Sequence, residues 1–226
     1  MARGKGSTLA VALSCVALGL SGCTKSADTS PEGLAGGLLD ITDMPGDWQE
    51  TQRDVFETRG DENPSIDPST WCPEASDAAA GLDDLAGDAG ADVEMQMQID
   101  GDEIPRLMRL QAWRNDDVRT YFADVLTVLN ICDGAKWTQD PGVTTEMWKI
   151  DGPEVGDESV SWGSREVPPE GTDKASAMGR TTVARIGEVI MVLQIGDFMT
   201  PSSVGELSDD DWREIVQRAA DKLADA

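Results

Sequence analysis

The cysteines are the residues of this chain best suited to chemistry, and they lie at positions 15, 23, 72 and 132. Histidine is absent. Its absence excludes Ser-His-Asp and Cys-His nucleophilic catalysis, and every metal site that uses an imidazole ligand. Chemistry that uses only carboxylates, such as a glycosidase pair, is compatible with the composition. Because the chain has 43 Asp and Glu residues, carboxylate pairs arise by chance and indicate no particular catalytic pair.

The amino-terminal segment has the pattern of an export signal. Arg3 and Lys5 precede an apolar run over 9–20, which is shorter than the ~20 apolar residues that span a bilayer. The run ends in LSGC at 20–23, which resembles the bacterial lipobox. This resemblance implies cleavage before Cys23 and a diacylglycerol on its sulfur, so that the protein is anchored at the extracytoplasmic side of the cell membrane. The alternative is an ordinary signal peptide with a chance cysteine at its boundary.

This interpretation divides the chain into three parts. Residues 1–22 are the signal peptide, 23–37 are the lipidated amino terminus and a flexible tether, and 38–226 are one folded domain. The tether is predicted because residues 24–37 are small, polar and rich in glycine. The remaining sequence has no internal repeat and no long linker, which favours a single domain.

Cys72 and Cys132 remain once Cys15 is assigned to the removed segment and Cys23 to the lipid. An even number of cysteines in an exported protein predicts a disulfide. The alternatives are a metal pair, which needs two further ligands, or free thiols. Closing a loop of about 60 residues would stabilise the fold by about 4 kcal/mol in the chain-entropy model.

The formal charge is −25, from 18 Lys and Arg against 43 Asp and Glu. Such a surface repels phosphate backbones and anionic lipids, so we expect no nucleic-acid partner and no membrane attachment other than the lipid on Cys23. The acidic segment at 100–103 lacks the spaced ligands of a calcium loop, and the one at 208–212 is better interpreted as a helix start. We therefore expect neither a metal nor a cofactor.

Alternation of apolar and polar residues predicts about six strands. These lie at 93–100, 106–114, 145–150, 160–167, 179–186 and 189–195. Helical spacing predicts a long helix between Asn115 and Gly134, and a last helix that Ser208 caps. The order of elements predicts an α+β domain: a mostly antiparallel sheet, helices packed on one face, and one disulfide.

The same alternation predicts that Arg109, Arg165 and Arg185 project from the sheet face away from the helices, together with Gln111 and Trp113. Three arginines on one face would form a positive patch for an anionic or polar ligand. The alternative is a solvated face on which each arginine pairs with a carboxylate across the strands. The seven Trp residues are interpreted as packing in the core and at its edges.

Several short motifs together resemble one family. They are LLDITDMPGDW at 38–48, STWC at 69–72, a helix that ends in LNIC at 129–132, and a closing hairpin and helix. They are similar to exported lipoproteins of high-GC Gram-positive bacteria that share a fold with the extracellular sensor domain of a mycobacterial receptor kinase, the PknH-like sensor family. The resemblance implies that 38–226 is a PknH-like sensor or binding domain. The kinase-type members are described with two disulfides, whereas only one cysteine pair remains here, and the kinase itself is absent.

The expected function is therefore that of a lipid-anchored extracytoplasmic binding or sensor-like lipoprotein of the cell envelope, and not of an enzyme. Its ligand would be a small molecule or an envelope component held in a sheet cleft. Two alternatives stay open. One is an envelope hydrolase that uses carboxylates, and the other is an accessory protein-interaction lipoprotein without a small-molecule site.

Overall fold

The structure, a computed structural model, describes residues 30–59, 71–83, 89–99, 106–139, 142–169, 171, 176–199 and 207–226. The predicted signal peptide, its cleavage site and Cys23 lie outside these residues. The described part contains four α-helices, and 3₁₀ turns at Ile41–Asp43 and Pro73–Ala75. The helices are α1 (Pro31–Gly36), α2 (Ser76–Asp83), α3 (Val118–Cys132) and α4 (Asp209–Asp225).

Eight strands of the described residues form one sheet in which all neighbours are antiparallel. The strands are β1 (Trp48–Arg59), β2 (Ala89–Ile99), β3 (Arg106–Arg114), β4 (Lys136–Gln139), β5 (Val143–Ile150), β6 (Glu158–Val167), β7 (Ser176–Ile186) and β8 (Val189–Met199). Their order across the sheet is β1-β2-β3-β8-β7-β6-β5-β4. The strands β7 and β8 form the predicted hairpin, which turns at Gly187 with a positive φ of 61°.

The sheet has two strands more than predicted, and both are edge strands. The strand β1 pairs only with β2, and β4 pairs only with β5. The alternation is weak in β1, where Val55 and Phe56 are adjacent apolar residues and both are exposed. A register shift between Glu50 and Gln52 disturbs the pattern further. The strand β4 has only four residues, too few for a period to be visible.

The helices pack on both faces of the sheet, so the prediction that they cover one face is wrong. We call the face that carries α1 and α4 the terminal-helix face, and the face that carries α2, α3 and the disulfide the disulfide face. The cause is visible in β8, where residues 189–193 are apolar at every position and all are buried. Such a continuous run is typical of a strand that is covered on both sides.

The helix α4 begins as its sequence predicts, whereas the predicted cap of α3 at Asn115 is wrong: α3 begins at Val118, and its N-cap Asp117 makes no side-chain capping bond. The Asn115 side chain accepts a hydrogen bond from the Asp117 backbone N–H at 2.8 Å, just before α3. Ser208 caps α4 by accepting from the Asp211 N–H at 3.1 Å. Gly134 follows α3 with φ of 77°, a left-handed conformation that favours glycine. The acidic segment at 208–212 is thus a capped helix start.

The folded part begins before residue 38, where the sequence analysis ended the tether. Ser30 caps α1 by accepting from the Gly33 N–H at 3.1 Å, and proline occupies the first helical turn. The Leu34 side chain is 1% exposed and belongs to the core of the terminal-helix face. Burial of this leucine contributes about 1.5–3 kcal/mol to the docking of α1, which contacts β1 and β2.

The predicted disulfide between Cys72 and Cys132 is confirmed, with Cα atoms 5.5 Å apart. It joins the start of the Pro73–Ala75 turn to the last residue of α3. The Cys72 backbone N–H donates to the Cys132 Sγ at 3.1 Å. Beside the bond, the buried rings of Trp71 and Trp162 lie 5.0 Å apart. The disulfide therefore fixes α2 and α3 to each other over the middle of the sheet.

Candidate ligand-binding cleft

Arg109 and Gln111 lie side by side on the disulfide face of β3, and both approach Asp92 of β2. The Arg109 Nε and Nη2 are 2.8 and 2.5 Å from the Asp92 Oδ2, and the Gln111 Nε2 is 3.5 Å from the same oxygen. Asp92 is only 5% exposed. A second carboxylate, that of Glu94, lies 3.7 Å from Arg109. This arginine is engaged by carboxylates across the strands.

Arg185 and Arg165 lie on opposite faces of the sheet, so the prediction of three arginines on one face is wrong for Arg165. Arg185, on the disulfide face, donates to Asp157 at 2.9 Å and to Glu158 at 3.1 Å. Arg165, on the terminal-helix face, donates to Glu146 at 3.0 Å. All three arginines thus pair with carboxylates, as expected if they lie on an ordinary solvated sheet face. Ligand binding by Arg109, Arg165 or Arg185 stays a prediction.

Glu146 lies in a short row of charges on β4, β5 and β6. Lys136 donates to one of its oxygens at 2.7 Å, and Arg165 to the other. The hydrogen bond from Lys136, reinforced by that from Arg165, lowers the pKa of Glu146 below its ordinary value. The row is exposed and keeps this carboxylate ionised.

Trp113 is fully buried and is part of the core, not of a ligand surface. Its ring meets that of Tyr121 of α3 edge to face, with centroids 5.6 Å apart. An edge-to-face pair of this kind stabilises a core by about 0.5–1.5 kcal/mol beyond its buried area. Trp113 therefore holds α3 against the sheet.

The described residues line two cavities that are open to solvent and lie on opposite faces of the sheet. The first, of about 330 Å³, lies on the disulfide face between α3 and the β6–β7 pair. Its lining consists of Arg119, Phe122, Ala123, Leu126, Glu158 and Arg185. The second, of about 350 Å³, lies on the terminal-helix face beside the start of α4. We call the second cavity the Trp148–Trp212 cleft, and its lining also includes Ile150, Asp151, Gly163, Met178, Gly179, Arg180, Asp209 and Arg213.

The sheet contributes a cross-strand row to this cleft. Trp148 of β5 stands opposite Gly163 of β6, which in turn stands opposite Arg180 of β7. A Cβ atom on Gly163 would lie 2.6 Å from two ring carbons of Trp148 and 2.9 Å from its Nε1. The indole therefore lies directly over the Gly163 backbone, in space that any side chain would fill. Trp148 is half-buried there, with part of its ring open to solvent.

The first turn of α4 contributes the opposite wall. Trp212 is 2% exposed, and two guanidinium groups lie over its ring: that of Arg180 at 5.5 Å and that of Arg213 at 6.0 Å. The Arg180 Nη1 lies 2.8 Å from the Asp209 Oδ1. Arg213 donates to the Asp151 backbone oxygen and lies 3.8 Å from its carboxylate. Cation–π contacts and ion pairs together hold both arginines at the cleft.

The cleft is not visible in the sequence because its members belong to four separate segments, 148–151, 163, 178–180 and 209–213. Trp148 and Trp212 are predicted only as packing residues, and Arg180 and Arg213 carry no motif. One signal was available: Gly163 is an isolated glycine in the middle of a predicted strand, which indicates a close approach of another group. That group is the Trp148 ring.

In the part of the chain that the structure describes, no helix is long and apolar enough to cross a membrane. Among the same residues, no three of His, Cys, Asp and Glu are grouped so that they could hold a metal ion.

Comparison with family models and with curated proteins finds no match for this chain. Solved structures do match this chain at the level of the fold. One is the crystal structure of the extracellular domain of PknH from Mycobacterium tuberculosis, with a TM-score of 0.51 and 12% identity over 87% of this chain and 97% of that one. Another is an uncharacterised protein from Mycobacterium smegmatis, with a TM-score of 0.41 and 12% identity over 77% of this chain and 90% of that one. The predicted resemblance to the PknH-like domain is confirmed at the level of the fold.

Proposed function

We propose that this protein is a lipid-anchored extracytoplasmic binding lipoprotein of the cell envelope, and that it holds a small polar ligand in the Trp148–Trp212 cleft. The observation that carries the proposal is the cleft itself, in which half-buried aromatic surface meets two arginines. Apolar walls with a few oriented polar groups are typical of small-molecule sites, and a volume of about 350 Å³ lies in their usual range.

The extracytoplasmic location has two supports. The fold is shared with a domain described as extracellular, and the Cys72–Cys132 disulfide is typical of proteins that fold in an oxidising compartment. The lipid anchor rests on the sequence alone, on the LSGC motif at 20–23. Two acyl chains on Cys23 would give stable attachment, which one chain alone does not.

The Trp148–Trp212 cleft is a better ligand site than the cavity that Arg185 lines. In that cavity the guanidinium already donates to Asp157 and Glu158, and the one aromatic residue, Phe122, is almost fully buried. In the Trp148–Trp212 cleft an indole surface stays accessible beside donors and acceptors. The cleft therefore offers a ligand both an aromatic contact surface and oriented hydrogen-bonding groups.

Native mass spectrometry of the full-length protein, expressed in a bacterium that processes lipoproteins and extracted from its membranes, tests the proposal. We expect a chain that begins at Cys23 with a diacylglycerol on its sulfur, and a co-purifying small molecule. A Cys23→Ala variant should lack the lipid. An unmodified chain that begins at Met1 would contradict the anchoring.

The same experiment on two tryptophan variants tests the site. Trp148→Ala should lose the co-purifying mass. Trp137→Ala is the matched control, because Trp137 is a half-buried indole on the neighbouring edge strand that packs on the disulfide face instead. Loss of the ligand from both variants, or from neither, would contradict binding in the Trp148–Trp212 cleft.

A further inference from the structure

We infer that the ligand of the Trp148–Trp212 cleft is a neutral carbohydrate, an inference that rests on the proposed function and specifies its ligand class. A sugar ring presents C–H groups on its faces and hydroxyl groups around its rim. It therefore needs a flat aromatic surface beside paired donors and acceptors. The cleft brings these two elements together.

The aromatic surface is that of Trp148. Its indole is seated on the bare backbone of Gly163, which sets the orientation of the ring before any ligand arrives. A ring that is already fixed loses little conformational entropy when a ligand stacks on it. The electron-rich face of an indole attracts the weakly positive C–H groups of a pyranose. Trp148 is thus a stacking platform for a sugar.

The polar groups lie next to this platform. Arg180 and Arg213 supply planar sets of donors, and Asp209 and Asp151 supply carboxylate acceptors whose side chains are mostly solvent-exposed. A guanidinium fork suits two neighbouring oxygens, such as vicinal hydroxyl groups. A polyhydroxylated ligand can pair with all of these groups.

The charge of the site favours a neutral ligand over an anionic one. The two arginines are balanced by Asp209 and Asp151 within the cleft, and the adjacent turn of α4 adds Asp210 and Asp211. The whole chain carries a formal charge of −25, so an anion would approach against a repulsive field. A cation would be repelled by the guanidinium groups of Arg180 and Arg213, which already lie over the Trp212 ring. A neutral sugar avoids both costs.

Isothermal titration calorimetry and saturation-transfer NMR on the purified full-length protein test the inference. The neutral probes are maltose, cellobiose and N,N′-diacetylchitobiose, and cellobiouronic acid is the charged match of cellobiose. We expect at least one neutral disaccharide to bind with millimolar or better affinity that does not change with salt concentration. Cellobiouronic acid should bind more weakly than cellobiose.

Variants connect the binding to the cleft. Trp148→Ala should weaken it by about tenfold or more, because the stacking surface is lost, and Trp137→Ala should leave it unchanged. Arg213→Lys keeps the charge but removes the fork, so it should also weaken binding. Circular dichroism and the melting temperature report whether each variant is folded. If Trp148→Ala fails to fold, Arg213→Lys decides.

Three results would overturn the inference: no neutral disaccharide binds, cellobiouronic acid binds more tightly with an affinity that salt weakens, or folded cleft variants bind like the wild type. The failure of the inference is distinguishable from that of the proposed function. A co-purifying mass that is lost only from Trp148→Ala, together with no disaccharide binding, would leave the binding function intact and exclude the sugar.

Discussion

Replacement of both Cys72 and Cys132 by Ala is expected to lower the free energy of unfolding by about 4 kcal/mol. The disulfide closes a loop with a sequence separation of 60 residues. In the chain-entropy model, opening a loop of that length gives the unfolded chain about 14 cal/mol/K of additional entropy, equal to about 4 kcal/mol at 25 °C. Alanine is the appropriate substitute because both cysteines are buried in an apolar cluster, where a serine hydroxyl would lack a partner.

Thermal unfolding followed by circular dichroism measures this effect. A domain of 150–250 residues loses about 2–4 °C of melting temperature per kcal/mol, so the double variant should melt about 8–16 °C below the oxidised wild type. Wild type in the presence of a reductant should melt close to the variant. The variant itself should not respond to the reductant, which makes it the control for other effects of that reagent.

The reasoning would be refuted by a double variant that melts within about 2 °C of the oxidised wild type. Such a result would mean that the Pro73–Ala75 turn and α2 are held in place by their apolar contacts alone. A reductant effect of equal size in the variant and in the wild type would refute the entropic origin of the shift.

Three further predictions concern α1, Gly163 and Glu146. If α1 is part of the folded core, Leu34→Ala should lower the free energy of unfolding by about 2–5 kcal/mol, and Leu34→Met should lower it by less than about 1.5 kcal/mol. Urea unfolding measures both values, and small effects of equal size would refute the docking of α1. Gly163→Ala should destabilise the fold by about 1–3 kcal/mol, because the added Cβ would meet the Trp148 indole. Gly81→Ala is the control: it lies in a helix with open space around it and should stabilise the fold by about 0.5–1 kcal/mol. A stabilising effect of Gly163→Ala would refute the close approach of Trp148. In an NMR titration the pKa of Glu146 should lie below that of an ordinary glutamate, and Lys136→Met should raise it. The contribution of the pair to folding stability is therefore present above the unfolded-state pKa and is lost as the pH falls through the lowered folded-state pKa. A Glu146 pKa that does not change in the variant would refute the pairing.

The sequence predicts the central part of the fold better than its margins. Strands β2, β3 and β5 to β8, the helices α3 and α4 and the disulfide all carry a regular period, a cap or a cysteine count that is visible without neighbours. The edge strands β1 and β4 do not: β1 has adjacent exposed apolar residues and a register shift, and β4 has only four residues. The number of strands was therefore underestimated at both edges.

The placement of helices on both faces could have been predicted from residues 189–193. Five consecutive apolar residues in β8 exclude a solvated face, and that observation alone argues against a sheet that is covered on one side. The short helix α1 carried a similar signal in Ser30 and Pro31, a favourable cap followed by proline in the first turn. In both segments the pattern of residues indicates the observed structure better than the composition does.

The sequence does not predict the Trp148–Trp212 cleft, because the position of the cleft depends on which parts of the two sheet faces the helices leave uncovered. Sequence alternation assigns a residue to one of two faces but does not say which face a distant helix covers. Arg109 and Arg185 project from one face and Arg165 from the other, since a single residue of register decides the side. The contact of Trp212 with Arg180 requires the position of α4 on the sheet, which no short-range pattern contains.

The location of the cleft follows from the way in which the two helix pairs cover the sheet. On the terminal-helix face, α1 and α4 cover the part of the sheet that runs β1-β2-β3-β8-β7. On the disulfide face, α2 and α3 cover the part that runs β3-β8-β7-β6-β5. Within the described residues, the β4–β6 side of the terminal-helix face therefore has no helix over it. The Trp148–Trp212 cleft forms at the border of this open area, where the first turn of α4 meets β5 and β6. Trp148, Asp151, Asp209 and Arg213 at this border are only partly covered, so the proposed ligand would replace solvent there without unpacking the core. The border is therefore the site that we propose, and ligand binding by Arg109, Arg165 or Arg185 stays a separate prediction.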